Sequence, residues 1–223
     1  MGPLLFIILL TAAIFKEYIR RGISSILDRY QKERPILTRP AYGLSKYRIL
    51  VVLGSGGHTT EMLRLLVPFK KVEHKMDIIF AVSDSDSTSL PRVPSILGKD
   101  REFEVVRVKR IREVGDSIVH SILKAPLAFI SAFHVLWTVR PDVLVCNGPG
   151  TCLVLVYVSR LLQFLCLAPR TVRIFVESFC RVKTISLTGR LVYPFMDSFI
   201  LQWPPTDAIL RTYPRAKYLG RIL

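Results

Sequence analysis

Asparagine is almost absent from this chain. Asn147 is the only one, and because Gly148 and Pro149 follow it there is no N-glycosylation sequon. Cysteine is sparse too: Cys146, Cys152, Cys166 and Cys180 form no C-x-x-C pair, and no histidine stands at metal-ligand spacing from them. That speaks against a zinc ribbon or a disulfide framework and leaves buried free thiols as the expectation, three of them in apolar runs, as in a reducing compartment. The motifs G-x-x-x-x-G-K-[ST], H-E-x-x-H and G-x-S-x-G are missing, so P-loop ATPase, zinc protease and serine hydrolase chemistries fall away. Acidic residues are few. Against 32 Lys and Arg stand 17 Asp and Glu, a formal net charge of +15 that favours anionic lipid, phosphorylated substrates or nucleic acid. Nucleic acid is the weakest of the three, because no recognition helix or aromatic–basic surface motif accompanies the charge. Half of the 223 residues are hydrophobic, which suits one well-filled α/β domain with a short appendage and not a disordered chain.

The N-terminus lacks charge up to residue 16. Pro3 to Phe15 is apolar, about 13 residues and roughly 20 Å of helix, marginal against a bilayer core of about 30 Å. No basic residue precedes it, as a signal peptide requires, and Phe6 stands where myristoylation needs Ser or Thr. A short signal anchor is the expectation. Lys16, Arg20, Arg21, Arg29, Lys32 and Arg34 follow it, which puts the folded part on the cytosolic side and near anionic headgroups. The expected organisation is an anchor with its basic flank over 1–27, a Pro- and Gly-bearing linker over 28–46, and one domain over 47–223.

From Tyr47 onward short β-rich runs alternate with helical ones. Strands are expected at Arg48–Leu53, Asp77–Val82, Phe103–Val108, Asp142–Cys146, Val172–Val176 and near Ser198–Gln202. Helices are expected at His58–Phe69, Asp116–Val139 with Pro126 as a kink site, Thr151–Leu167 and near Thr184–Tyr193; Ser83–Asp100 is expected to be a polar loop. Continuous Val, Ile and Leu in the strands point to burial on both faces. The alternation with helices predicts a doubly wound, mostly parallel sheet.

In such a sheet, ligands bind at the carboxyl ends of strands. Two glycine loops fall there. Gly54-Ser55-Gly56-Gly57-His58 follows the first strand, and Asn147-Gly148-Pro149-Gly150-Thr151 follows the fourth. Glycines there let backbone N–H groups approach phosphate oxygens, and the helix N-terminus favours an anion; the plain alternative is a tight turn. A dinucleotide fingerprint needs a third glycine where Thr59 stands, so a nicotinamide or flavin is not expected, although Asp84 could imitate a ribose-binding acid. No cofactor and no metal is expected. His58 is suited to proton transfer near neutrality. Glu177, after the fifth strand, is suited to bind or deprotonate a sugar hydroxyl, or else neighbours a helix cap or pairs with Arg181. Arg107, Lys109, Arg110 and Arg112 lead into the apolar helix that carries Trp137; basic residues beside an apolar face describe a membrane-surface element, or else a core helix with a solvated loop.

Taken together and in order, Val51–Leu63, Cys146–Cys152, Val176-Glu177-Ser178, Gln202-Trp203-Pro204 and Tyr218-Leu219-Gly220-Arg221 resemble the anchoring subunit of the eukaryotic UDP-N-acetylglucosamine transferase of dolichol-linked oligosaccharide synthesis. The same region is similar to the acceptor half of the bacterial peptidoglycan lipid glycosyltransferase. The resemblance implies the Rossmann-like N-terminal half of a GT-B enzyme. It also implies addition of the second GlcNAc to GlcNAc-pyrophosphate-dolichol at the cytosolic face of the endoplasmic reticulum, with a soluble donor-binding subunit as partner. It makes Gly54, Ser55, Gly56, Gly57, Asn147, Gly148, Gly150 and Thr151 the pyrophosphate loops, and Tyr218, Leu219, Gly220, Arg221, Ile222 and Leu223 the partner contact. Val176 stands where the bacterial enzyme has His, which leaves the general base open between His58 and Glu177. The competing expectation is a membrane scaffold without substrate contacts.

Overall fold

The computed structural model describes residues 46–69, 76–98, 103–111 and 118–220. The expected anchor, nearly all of the expected linker, Arg112, and Arg221 to Leu223 lie outside the described residues.

The elements run β1 (Tyr47–Val52), α1 (Gly57–Leu66), β2 (Met76–Ser83), α2 (Val93–Leu97), β3 (Glu104–Val108), α3 (Ile118–Val139), β4 (Val143–Cys146), α4 (Gly150–Phe164), β5 (Val172–Val176), α5 (Leu187–Val192), β6 (Ser198–Leu201), α6 (Asp207–Thr212) and β7 (Ala216–Tyr218). The seven strands form one sheet in the order β3-β2-β1-β4-β5-β6-β7, every pair parallel. Sequential strands step outward from β1 to β3; the chain then returns across the sheet to place β4 against β1 and steps outward the other way. This is the doubly wound arrangement, and its direction changes between β1 and β4.

Alternate residues of the central strands feed two cores. Leu50 and Val52 face α3, α4 and α5, whereas Val51 and Leu53 face α1 and α2. All four are buried, which is why β1 reads as an unbroken apolar run instead of an alternating one. Arg173, on β5, is buried yet charged. Its guanidinium donates to Asp197 Oδ2 at 3.0 and 3.2 Å and to Gln163 Oε1 at 2.9 Å, so the charge is paired and hydrogen-bonded.

Several expectations are corrected. The stretch expected to be a polar loop after β2 holds a short 3-10 turn, Leu90–Arg92, and α2, started by Pro91 and Pro94 in the first helical turns, where a missing N–H costs little. Helix α3 holds Pro126, the expected kink site, in its interior and does not end there. Two elements near the C-terminus, α6 and β7, are additional. Thr206 caps α6 through its side chain, and β7 spans only three residues, too short to carry a period. Of the thiols, Cys146 and Cys152 are buried, whereas Cys166 and Cys180 are exposed; all four are free. Among the described residues no helix is long and apolar enough to cross a membrane.

Candidate functional site

The point where the sheet changes direction is bounded by the β1–α1 and β4–α4 loops, the two glycine loops. They interlock. Gly54 is packed so tightly against Pro149 that a β-carbon would stand 2.7 Å from the proline Cγ. In return His58 lies on Gly148, whose φ of +73° already excludes most side chains and where a β-carbon would stand 2.5 Å from His58 Cε1. Each loop therefore needs glycine where the other touches it.

Elsewhere the same loops are open. A β-carbon on Gly56, Gly57 or Gly150 would meet nothing within 4 Å. Helices α1 and α4 begin without a side-chain cap, whereas α5 and α6 are capped by Ser186 and Thr206. First-turn N–H groups left without side-chain partners, on bare glycine backbone, form a cradle suited to an anion. Thr151 is buried in the first turn of α4.

A second set of residues stiffens the first loop. Thr59 donates from its hydroxyl to the Gly54 carbonyl and lies 2.6 Å from Ser89 Oγ. Ser89 donates to Asp86 Oδ2 at 2.6 Å, and Asp86 Oδ1 also accepts from Thr88 N and Thr88 Oγ1 at 2.9 Å and from Ser89 N at 3.1 Å. Burial pushes the Asp86 carboxyl up, but the bonds from Ser89 and Thr88 outweigh it and hold it below its ordinary value. Arg92 donates to the Gly56 carbonyl at 2.8 Å, and Arg110 reaches Ser55 Oγ at 3.2 Å. Asp84 is exposed and bonds its neighbour Ser85 N at 3.0 Å.

His58 is 36% exposed at its side chain, and its Nδ1 is 2.9 Å from Asn147 Oδ1. Asn147 is buried and donates through Nδ2 to Glu61 Oε2 at 3.1 Å. Glu61 also accepts from Ser178 Oγ at 3.0 Å and Phe179 N at 3.4 Å. Glu61, on the helix that follows β1, thus joins the loops after β4 and β5; it is a residue that sequence reasoning missed. Its signal was the three-residue spacing from His58, which places both on one face of α1.

Of the alternatives open for Glu177, the structure shows the neighbour of a helix cap, Ser186. Glu177 is 1% exposed, and its carboxylate accepts from Ser178 N at 3.0 Å, Ser186 N at 2.9 Å and Ser186 Oγ at 3.1 Å. Gly189 packs against it, a β-carbon there standing 2.7 Å from Oε2. The carboxylate fixes the start of α5 and does not open on the cleft. Beside it, Trp203 Nε1 donates to the Phe179 carbonyl at 2.7 Å and the two rings lie 4.8 Å apart, tying the loop after β5 to that after β6.

Arg107 and Lys109 are exposed, and Lys109 N bonds Ser131 Oγ of α3 at 3.1 Å. Along α3, Leu123, Leu127, Ile130, Phe133 and Trp137 form an exposed stripe, with Leu123 68% and Ile130 65% accessible; Phe133 stacks on Trp137 at 5.8 Å and the Arg140 guanidinium lies over the indole at 5.0 Å. Opposite them, Ala128, Ala132, Val135, Leu136 and Val139 enter the core, so among the described residues only one face of this apolar helix is covered. At the far edge of the sheet Tyr218 and Leu219 are exposed at the end of β7, followed by Gly220. No group of His, Cys, Asp and Glu suited to a metal ion occurs among the described residues.

Residues 49–222 match the family described as "Oligosaccharide biosynthesis protein Alg14 like". The chain is 37% identical over 188 residues to the UDP-N-acetylglucosamine transferase subunit ALG14 of Yarrowia lipolytica, covering 82% of this chain and 84% of that one. It is 36% identical to the human protein of the same name over 184 residues, covering 78% and 82%. Among solved structures it is similar to Acinetobacter baumannii MurG, with a TM-score of 0.52 at 15% identity over 71% of this chain and 42% of that one. It is similar also to a UDP-N-acetylglucosamine 2-epimerase of Listeria monocytogenes, described as putative, with a TM-score of 0.53 at 12% identity over 71% and 40%. The chain spans about two fifths of the length of those two structures, and the likeness is one of fold.

Proposed function

Because the chain belongs to the Alg14 family of oligosaccharide-biosynthesis proteins, we propose that it is the membrane-attached, acceptor-side subunit of a two-subunit transferase. That enzyme adds the second GlcNAc from UDP-GlcNAc to GlcNAc-pyrophosphate-dolichol at the cytosolic face of the endoplasmic reticulum. The observation that carries this reading is the pair of interlocked glycine loops at the point where the sheet changes direction. Their backbone is open at Gly56, Gly57 and Gly150 and closed where the loops touch. An anionic diphosphate is the chemistry such a cradle suits.

In this reading the first-turn N–H groups of α1 and α4 hold the pyrophosphate of the lipid. His58 takes the proton of the acceptor 4-hydroxyl. The freed oxygen attacks the anomeric carbon of UDP-GlcNAc, the bond from that carbon to the UDP oxygen breaks, and UDP leaves with the electron pair. Of the two base candidates His58 is favoured, because its ring is accessible while the Glu177 carboxylate is engaged in its own loop. The exposed stripe of α3 with Arg107, Lys109 and Arg110 faces the headgroups and lipid, and the apolar run at 3–15 attaches the chain to the membrane. The donor site belongs to a soluble partner subunit, and the exposed end of β7, Tyr218 to Gly220 with the residues beyond it, contributes to that contact.

The test is GlcNAc transfer by the full chain with and without the partner. Transfer is expected only from the pair. Gly57→Val then separates the substrate-binding reading from a scaffold without substrate contacts. A β-carbon at Gly57 would meet nothing within 4 Å, and a side chain there is expected to intrude on the cradle, so the acceptor KM should rise more than about tenfold. Wild-type kinetics in that variant would leave only the scaffold.

A further inference from the structure

A histidine that takes a proton must present the right ring nitrogen, and which one is free is set by the partner of the other. Here the partner of Nδ1 is the Asn147 side-chain oxygen at 2.9 Å. An amide can turn end for end, and with its nitrogen facing His58 it would demand the opposite tautomer. The other end of Asn147 is 3.1 Å from Glu61 Oε2. A carboxylate accepts only, so the amide NH2 faces Glu61, the amide oxygen faces His58, and Nδ1 carries the hydrogen. Glu61 is itself held from the other side by Ser178 Oγ and Phe179 N. Nε2 makes no hydrogen bond among the described residues and remains the lone-pair nitrogen of a partly exposed ring.

We propose that Glu61 is a positioning residue that, through the Asn147 amide, locks His58 in the tautomer protonated on Nδ1 and leaves Nε2 as the proton-accepting atom. The consequence for rate rests on His58 being the base proposed above; the tautomer does not.

The experiment uses the full chain with its partner subunit and histidine labelled with 15N, the His58 signal being identified by its loss in His58→Gln. Wild type should show the shift pattern of a protonated Nδ1 and a bare Nε2. In Glu61→Gln the new amide can donate or accept, Asn147 is free to turn, and the opposite pattern should appear. At the same time kcat should fall about 10- to 100-fold with the acceptor KM within about threefold. Exchanging the two groups, Glu61→Gln with Asn147→Asp, puts an acceptor-only carboxylate against His58 and should restore the Nδ1–H pattern. A wild-type ring protonated on Nε2, a pattern unmoved by Glu61→Gln, or an exchange that restores nothing would each overturn the assignment. A moved pattern with unchanged kcat upholds it and removes His58 as the base. Should Glu61→Gln fail to fold, the wild-type pattern and the exchanged pair still decide.

Discussion

The imidazole of His58 and the backbone of Gly148 occupy adjoining space with no room between them: a β-carbon on Gly148 would stand 2.5 Å from Cε1 and 2.9 Å from Nδ1. The loop after β4 can close on the loop after β1 only because that position is glycine.

Gly148→Ala should therefore be costly on two counts, the positive φ of 73° and the overlap with His58. Strain of this kind is worth about 1–3 kcal/mol. Moving the ring should lower transfer by the partnered enzyme at least about a hundredfold. Gly150→Ala, where nothing lies within 4 Å and φ is not positive, is the matched control, expected to melt within about 0.5 kcal/mol of wild type. Thermal melting of both variants, with the transfer rate of Gly148→Ala, checks this; equal melting of the two would mean that the contact with His58 is unimportant to the fold.

The Asp86–Ser89–Thr59 chain predicts a pH signature. Asp86 is held below its ordinary value of 3.8 in the folded state, so its contribution to stability is present above that value and is lost as pH falls through the folded value. Asp86→Asn should be less stable than wild type at pH 7 by about 1–3 kcal/mol, since several hydrogen bonds to a charge are weakened. The gap should narrow below about pH 4. Urea midpoints measured across that range decide; a gap that stays constant would mean the carboxylate charge is not what braces the Gly54 turn.

Much of the frame is visible in the chain before it folds, because a doubly wound sheet writes itself in short runs such as Ile49–Leu53 and Val143–Cys146 that are buried on both faces. The two glycine loops are visible for the same reason: each follows such a run and opens a helix. What joins them is not visible. Glu61 finds Asn147 across 86 residues and Ser178 across 117, and no local pattern encodes those meetings. Glu177 shows the converse. Its place after β5 marks it as a cleft residue, and only the fold reveals that Ser186, nine residues on, takes its carboxylate. The residues Pro204-Pro205-Thr206-Asp207 carry a readable cap for α6, whereas β7 is three residues held by its pairing with β6.

The buried pair at the amino ends of β5 and β6 should separate stability from activity. Arg173 is 1% exposed and bonded to Asp197, which also takes Arg170 at 3.1 Å. Asp197→Ala leaves a buried guanidinium uncompensated and should cost about 3–5 kcal/mol. Adding Arg173→Met should recover more than half of the loss. Asp197 lies at the amino end of β6, away from the loops that form the cleft, so kcat per folded molecule should be unchanged. Denaturation midpoints with active-site-normalised rates test this; a double variant no more stable than Asp197→Ala would show that the pair matters for shape and not for charge.

The exposed face of α3 makes a prediction about lipid that the two tryptophans can report. Trp137 lies on the stripe with Leu123, Leu127, Ile130 and Phe133, whereas Trp203 is partly buried against Phe179 beside the loop after β5. If the stripe rests in the headgroup region, lipids brominated near the glycerol end should quench Trp137 strongly in the full chain carrying Trp203→Phe. They should quench Trp203 weakly in the chain carrying Trp137→Phe. Depth matters as well as contact: an interfacial helix sits about 5–10 Å into the boundary, so bromines placed deep in the acyl chain should quench less. Ile130→Glu, at one of the most exposed positions of the stripe, should weaken the shallow quenching. It should also raise the acceptor KM while leaving the donor KM unaltered, because the lipid-borne substrate arrives from the bilayer and the sugar nucleotide from water. Equal quenching of the two indoles would mean that α3 faces water or protein, and the proposed placement of its exposed stripe against headgroups and lipid would have to be abandoned.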